Sequence, residues 1–280
     1  MKNTIYCIEN KIKKRLKIED FGFFFIGDGF FTTSYLYKGK IILLEKHIER
    51  LEKSSKKLFF NKLNFKNILK CINIIKKNKK NGVIKITVYR IRKNFGYLTK
   101  KNNKQVCIIS YHKFPKKYIN FRNKGISLGI SKNYISRNTL TSKIKHTNKL
   151  EQVLISFNSR KLKLKKIQEL IVLDYKGYVI ECISSNIFWR KKNLIYTPSL
   201  KYSGVDGIIR KWIISYAPKL GFFIKKGFFY LSELLNSDEI FISNSLIIIA
   251  SVKKINNIKY KNNMASNKLK KFFYNKELNT

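Results

Sequence analysis

Hydrophobic and polar positions change their period several times along the first hundred residues, and each change marks an element. Thr4 to Ile8 and Gly22 to Ile26 are β-rich, and Ser34 to Leu44 carries a Tyr-Lys-Gly-Lys turn that predicts a hairpin. From Glu45 to Phe59 the period becomes helical, with Ile48, Leu51, Ser55 and Leu58 recurring on one face and charges between them. A second helix is expected over Phe65 to Lys76. Asn-Gly-Val-Ile-Lys-Ile-Thr-Val-Tyr-Arg-Ile, from residue 81, then reads as a turn leading into a strand. Its partner is the run Gln-Val-Cys-Ile-Ile-Ser-Tyr-His from residue 105. Lys113 to Asn123, with Pro115, has the composition of a connection between domains.

The second half opens with a strand near Ile126 to Ile130. A helix is expected after Lys145, with Leu150, Val153, Leu154 and Phe157 on one face. Short β runs follow: Glu-Leu-Ile-Val-Leu-Asp, Tyr-Val-Ile-Glu-Cys, Asn-Ile-Phe-Trp-Arg and Asn-Leu-Ile-Tyr-Thr, divided by Asp-Tyr-Lys-Gly and Lys-Lys-Asn turns. Asp206 to Ala217 reads as a helix that gathers Ile209, Trp212, Ile213 and Tyr216. A strand, Glu-Ile-Phe-Ile-Ser, a second apolar run, Ser-Leu-Ile-Ile-Ile-Ala-Ser-Val, and a lysine-rich helical tail complete the chain. Elements mixed in this order predict an α+β architecture with a strand-rich second half and no internal repeat.

Composition narrows the class. The chain has 280 residues, 44% of them hydrophobic and 14% aromatic, enough to bury a large core. No uninterrupted apolar stretch reaches the length of a membrane helix, and the charged N-terminal run lacks the apolar centre of a signal peptide. The expected location is the cytoplasm. Four scattered cysteines (Cys7, Cys71, Cys107, Cys182) and three scattered histidines offer neither a disulfide framework nor a metal cluster. A net charge of +44 invites a nucleic-acid reading. The lysines, however, are spread along the chain and accompany an excess of Asn, Ile, Phe and Tyr, all with AT-rich codons. Base composition therefore accounts for them, and no specific nucleic-acid partner and no membrane partner is expected.

Five segments carry candidate chemistry. Gly27-Asp28-Gly29-Phe30-Phe31-Thr32-Thr33 is a tight glycine turn entering a strand. It lacks the spacing and the lysine of a phosphate loop. Lys145 precedes a predicted helix whose positive end disfavours its ammonium form, as Schiff-base chemistry requires. Glu181 ends a strand just before Ser184, Ser185 and Asn186, where a carboxylate could keep a pyridine nitrogen protonated. Gly204 to Trp212 reads as a glycine turn opening a helix, whose first backbone N–H groups suit a phosphate. Ser243 to Leu246 ends a strand with small hydroxyl and amide residues. Each of these, taken singly, is equally consistent with ordinary turn chemistry.

In this order, with Leu-Leu-Glu-Lys-His-Ile-Glu-Arg-Leu following the first, the segments resemble the fold-type IV pyridoxal-phosphate enzymes from about residue 3 to residue 252. Ile144 to Val153 and Glu181 to Lys191 are similar, almost word for word, to the aminodeoxychorismate lyases. Thr32–Thr33 stands where the related aminotransferases usually carry Glu-Thr. The resemblance implies two domains: a small α/β N-terminal domain (1–114), a linker (115–124) and a larger, strand-rich pseudo-barrel domain (125–280). It implies pyridoxal 5′-phosphate as cofactor, 4-amino-4-deoxychorismate as substrate, 4-aminobenzoate and pyruvate as products, and a homodimer.

Residue by residue, the resemblance implies that Lys145 holds the cofactor covalently and Arg50 binds its phosphate. Glu181 would face the pyridine nitrogen. Ile208 and Ile209 would offer backbone N–H groups to the phosphate, and Asn244 and Ser245 would complete its cup. Arg90 is the candidate for a substrate carboxylate, and either Lys145 or Thr33 for protonating the leaving pyruvate. Three positions depart from the pattern. Lys143 stands where the lyases commonly have glycine, Asp20–Phe21–Gly22 lacks the usual central arginine, and Arg90 to Tyr97 replaces a glycine- and arginine-rich stretch. The rival within the superfamily is a branched-chain or D-amino-acid aminotransferase; the rival outside it is a basic nucleic-acid-binding protein.

Overall fold

The computed structural model describes residues 4–8, 11–13, 27–91, 97, 104–161 and 167–279, with side chains from 27 onward except at 158–161. The chain divides into two compact units. Unit 1 comprises residues 1–114 with 145–148, and unit 2 comprises 115–144 with 149–280. The chain thus leaves unit 2 for four residues, beginning at Lys145, before returning to it.

Unit 1 is a six-stranded antiparallel sheet with two helices, among the described residues. Its strands are β1 (Thr4–Ile8), β2 (Lys11–Lys13), β3 (Gly29–Tyr37), β4 (Lys40–Ile41), β5 (Gly82–Arg90) and β6 (Gln105–His112), in the order β2-β1-β6-β5-β3-β4. The predicted hairpin is β3–β4. Its turn residues Lys38 and Gly39 have φ of 45° and 79°, the mirror-image turn that matches strand twist. Helices α1 (Leu44–Lys57) and α2 (Phe65–Asn78) pack on this sheet. Phe30, Leu36, Leu51, Ile68, Ile72, Ile84, Ile86, Val88 and Ile109 form its dry interior.

The buried face of α1 differs from the one that apolar periodicity picks out. His47, Arg50, Leu51, Ser54 and Ser55 are buried, whereas Ile48 and Leu58 are only half-buried. The helix is rotated so that His47, bonded to Thr32 of β3, faces inward together with Arg50. Gly22 to Ile26 and the Asp20–Phe21–Gly22 departure lie outside the described residues, as does most of the loop from 91 to 97.

Unit 2 opens with α3 (Lys116–Lys124), where the sequence suggests a connection; Pro115 is its N-cap. A nine-stranded sheet follows, built among the described residues from β7 (Ile126–Ile130), β8 (Glu169–Leu173), β9 (Val179–Cys182), β10 (Asn186–Lys191), β11 (Leu194–Pro198), β12 (Phe223–Gly227), β13 (Glu239–Asn244), β14 (Ile248–Ile255) and β15 (Ile258–Lys259). The main path runs β12-β11-β10-β13-β14-β7-β8-β9, with β15 beside β14. Helices α4 (Leu150–Lys161), α5 (Ile208–Tyr216), α6 (Leu231–Leu235) and α7 (Met264–Phe273) complete the unit. Leu128, Ile171, Cys182, Ile187, Trp189, Ile240, Ile242 and Ala250 fill one continuous core. The fold is α+β.

Helix α5 buries Ile208, Ile209, Trp212 and Ile213, as its period predicts. Helix α4 does not follow its period. Leu150, Val153, Leu154 and Phe157 are 69%, 47%, 54% and 58% exposed, while Ile155 is the buried apolar residue of this stretch. The four residues of the apolar stripe visible in the sequence are therefore about half exposed or more.

Candidate active site

In unit 1 the glycine turn is built around Lys145. Phe31 N–H donates to the Lys145 carbonyl at 2.9 Å, and Thr147 N–H donates to the Gly29 carbonyl at 2.9 Å. Residues 145–147 thus lie along the start of β3 as a short antiparallel strap, with Phe30 opposite His146. The Thr147 hydroxyl also donates to the carbonyls of Gly27 and Gly29. Helix α4 starts only at Leu150, so the strap, and not a helix terminus, holds Lys145.

The two glycines of the turn are required for different reasons, Gly27 by its left-handed backbone and Gly29 by close approach. Gly27 has φ of +63°, and a Cβ there would meet Asn148 Oδ1 at 2.0 Å; one on Gly29 would meet the Val88 carbonyl at 2.6 Å.

Strand alternation then sorts the neighbours of Lys145. Phe31 and Thr33 share one face of β3, and Phe30 and Thr32 share the other. The Lys145 amine lies over the Phe31 ring, 4.9 Å from its centroid. Lys85, the cross-strand partner of Thr33, lies over the same ring at 4.8 Å. Burial pushes the Lys85 amine below its ordinary pKa. Lys145 and Thr33 are therefore brought to one sheet face, together with a second lysine, Lys85, that no motif singled out. Its only trace in the sequence is a charge inside a largely apolar strand, at the phase opposite Ile84, Ile86 and Val88.

On the opposite face, Thr32 Oγ1 and His47 Nδ1 share a 2.6 Å hydrogen bond, both side chains being buried. His47 lies one helical turn before Arg50, which is 9% exposed. Burial, and then the Arg50 charge, hold His47 well below its ordinary pKa, so the ring is neutral.

Arg90 is tied down on several sides. One terminal nitrogen donates to Asp28 at 3.1 Å, and the other to the carbonyls of Leu58 at 2.7 Å and Phe59 at 3.2 Å. Its guanidinium stacks 4.2 Å from the Phe60 ring centroid.

In unit 2, Glu181 is 7% exposed at the end of β9. Its Oε2 accepts from Val205 N–H at 2.9 Å and from Asn186 Nδ2 at 3.4 Å. Gly204 keeps this approach open, for its hypothetical Cβ would already lie 2.7 Å from Leu200. Burial pushes the Lys149 amine down while Glu181 and Glu151 pull it back up; Arg210 responds to burial, Asp206 and Glu181 in the same way. Lys143 bonds through its backbone to Gly204 and Asp206 and adopts φ of +71°. That left-handed conformation is the physical reason a glycine suits this position.

Helix α5 begins at Ile208 with Gly207 as N-cap, no side-chain cap and no acidic residue in its first turn. Among the described residues, the N–H groups of Ile208 and Ile209 have no hydrogen-bond acceptor. An uncapped helix start with buried first residues is a fitting donor set for a phosphate. Asn244 Oδ1 accepts from the N–H groups of Leu246 and Ile247, and its Nδ2 donates to the Ser184 carbonyl and the Ser185 hydroxyl. The Asn244 side chain therefore shapes its own turn, leaving half-buried Ser245 beside it. The buried hydroxyl of Ser243, just before, has no partner among the described residues. Glu169 gathers the hydroxyls of Ser184 and Ser185 at 3.0 Å each. Burial raises its carboxyl above the ordinary range against those bonds.

Comparison with known proteins places this arrangement. The family profile described as amino-transferase class IV matches residues 29–255. An aminodeoxychorismate lyase of Vibrio harveyi is 28% identical over 199 residues, covering 71% of this chain and 72% of the lyase. An aminodeoxychorismate lyase of Bacillus subtilis is 30% identical over 213 residues, covering 74% and 70%. Among solved structures, 4-amino-4-deoxychorismate lyase from Pseudomonas aeruginosa superposes with a TM-score of 0.86, covering 97% of this chain and 98% of its own at 24% identity. Branched-chain amino acid aminotransferase from Escherichia coli gives 0.82, covering 97% and 94% at 21% identity. At these identities the structures speak for the fold alone.

Proposed function

Since the chain belongs to the amino-transferase class IV family, whose cofactor is pyridoxal 5′-phosphate, we propose that it is a lyase converting 4-amino-4-deoxychorismate to 4-aminobenzoate and pyruvate. The observation that carries this reading is the strap that holds Lys145 over Phe31, on the strand face of Thr33. Two lyase relatives, each matched over at least 70% of its length, support the choice within the family.

The residues present fit the cofactor. In unit 1, Lys145 would hold it covalently and Arg50 would hold its phosphate as a planar, permanently charged fork. In unit 2, the free N–H groups of Ile208 and Ile209 would be donors for a phosphate, with Asn244 shaping the turn that presents Ser245. Glu181 would keep the pyridine nitrogen protonated; its Oε2 is held in place by the Val205 N–H. When bound, the cofactor supplies an electron-withdrawing ring that acidifies the substrate C4–H bond.

The chain's own groups then have three tasks. Lys145 Nζ, once displaced by the substrate amine, takes the C4 proton. The C3–O bond breaks, its electron pair leaves with the enol of pyruvate, and the six-membered ring becomes aromatic. Thr33 Oγ1, on the strand face of Lys145, would pass a proton to the departing enol, with Lys145 the other candidate for that transfer. Lys85, on this same face, would meet a substrate carboxylate. Three of the five Arg90 N–H donors are engaged by Asp28, Leu58 and Phe59, so we assign it to holding those groups rather than to the carboxylate.

The exposed stripe on α4 supports a homodimer, because four large apolar side chains in solvent are the usual mark of an interface. Ultracentrifugation of Leu154→Glu/Phe157→Glu is expected to show monomer where wild type shows dimer. No helix among the described residues is long and apolar enough to cross a membrane.

Incubating purified protein with 4-amino-4-deoxychorismate and following 4-aminobenzoate fluorescence tests the reaction. Aromatic product from wild type and none from Lys145→Ala is the expected result. Transamination of leucine or D-alanine without aromatic product would overturn the lyase reading.

A further inference from the structure

The Arg90 clamp joins three parts of unit 1 that are far apart in sequence. Its Asp28 bonds seize the glycine turn: guanidinium to carboxylate at 3.1 Å, and Arg90 N–H to the Asp28 carbonyl at 3.2 Å. Its other terminal nitrogen takes the Leu58 and Phe59 carbonyls just past the end of α1, where carbonyls are left without intrahelical partners. A cation at that end also opposes the helix dipole. The Arg90 side chain is only 11% exposed and that of Asp28 19%, so both bonds are shielded from water and salt.

From these two anchors the connections continue to the candidate site. Helix α1 carries His47 and Arg50 on its buried face. The glycine turn carries the bonds to Thr147, and two residues on, Phe31 carries the bond to Lys145. We infer that Arg90 is a positioning residue that keeps the Arg50-bearing helix and the Lys145-bearing strap in fixed register, and that it does not contact substrate. The inference deepens the proposed function and rests on it only for the roles of Arg50 and Lys145. The clamp itself is a matter of unit 1 alone.

Methionine keeps the unbranched stem of Arg90 and leaves Asp28 and two carbonyls without their donor. Lysine keeps the charge and cannot fork to both anchors. Hydrogen exchange by mass spectrometry, on peptides spanning 27–33 and 143–149, reports the strap without any cofactor. In Arg90→Met both peptides are expected to exchange about tenfold faster, with β6 peptides unchanged and Arg90→Lys intermediate. Should Arg90→Met fail to fold, Asp28→Asn removes one anchor and is expected to show the same acceleration at 27–33, smaller in size.

Kinetics separate positioning from substrate contact. A loosened strap lowers turnover, by about 100-fold for a displacement near 1 Å, and leaves KM almost unchanged. A lost carboxylate contact raises KM and leaves exchange as in wild type; that pair of results overturns the inference. Wild-type protein in which borohydride traps no cofactor on Lys145 would sink the proposed function instead. The exchange result would still decide the clamp.

Discussion

Replacing Gly29 by alanine tests how tightly the strap is built. Gly29 needs no left-handed backbone; its constraint is purely one of space. A Cβ there would lie 2.6 Å from the Val88 carbonyl and 2.6 Å from Tyr89 Cδ1, and the first of these is backbone that cannot swing away. Gly29 and Tyr89 face each other across β3 and β5, so relief requires parting the two strands where Arg90 and the strap meet. Overpacking of this kind costs about 1–3 kcal/mol, and a site walled by backbone belongs at the upper end. Gly39→Ala is the internal reference: it lies in the same unit, with φ of +79° and nothing nearer than Lys80 Cδ at 3.6 Å. Its cost is the left-handed conformation, about 1–2 kcal/mol, less about 0.4–1 kcal/mol from the stiffer unfolded chain.

With the same unfolded-chain gain deducted from both, urea denaturation at equal m should place Gly29→Ala about 1.5–2.5 kcal/mol below wild type and Gly39→Ala about 1 kcal/mol below. Borohydride trapping of cofactor on Lys145 should fall in the first variant and persist in the second. Equal destabilisation by the two, or undiminished trapping in Gly29→Ala, would refute the idea that close approach at Gly29 sets the strap.

Three further outcomes follow from the geometry. Lys143→Gly should stabilise the protein by about 0.5–1 kcal/mol, because it removes the left-handed strain at φ of +71° and returns part of it as unfolded-chain entropy; thermal melts check this. His47 is held neutral below its ordinary pKa, so the unfolded state binds the extra proton. Stability is then full above about pH 6.5 and falls as pH drops, by up to about 1.4 kcal/mol per pH unit, and urea melts of His47→Asn between pH 7.5 and 5.5 should lack that slope. Lys85→Met should raise KM for a carboxylate substrate about 10- to 100-fold with little loss of trapping on Lys145, since a charged hydrogen bond contributes about 1.5–3 kcal/mol; steady-state kinetics decides it.

Much of this protein could be read from local chemistry. The strands from Glu169 to Pro198, the hairpin at Lys38–Gly39 and the buried face of α5 are set by short apolar runs, turn residues and helical period, all of which act over a few neighbours. The segments carrying Lys145, Glu181 and the start of α5 were also recognisable, because short motifs keep their wording. What periodicity could not reveal were positions decided by distant partners. Helix α1 turns His47 and Arg50 inward because Thr32 waits on β3, and the apolar stripe of α4 faces solvent. Arg90, placed by its motif among substrate contacts, is bound to a turn and a helix end that lie 62 and 32 residues away in the chain. Lys85 gains meaning only when pairing of β3 with β5 sets it over the ring that also holds Lys145. A sequence records which groups each short segment offers. Which of them meet depends on strand register and helix rotation, and those are settled only when the whole unit closes around its core.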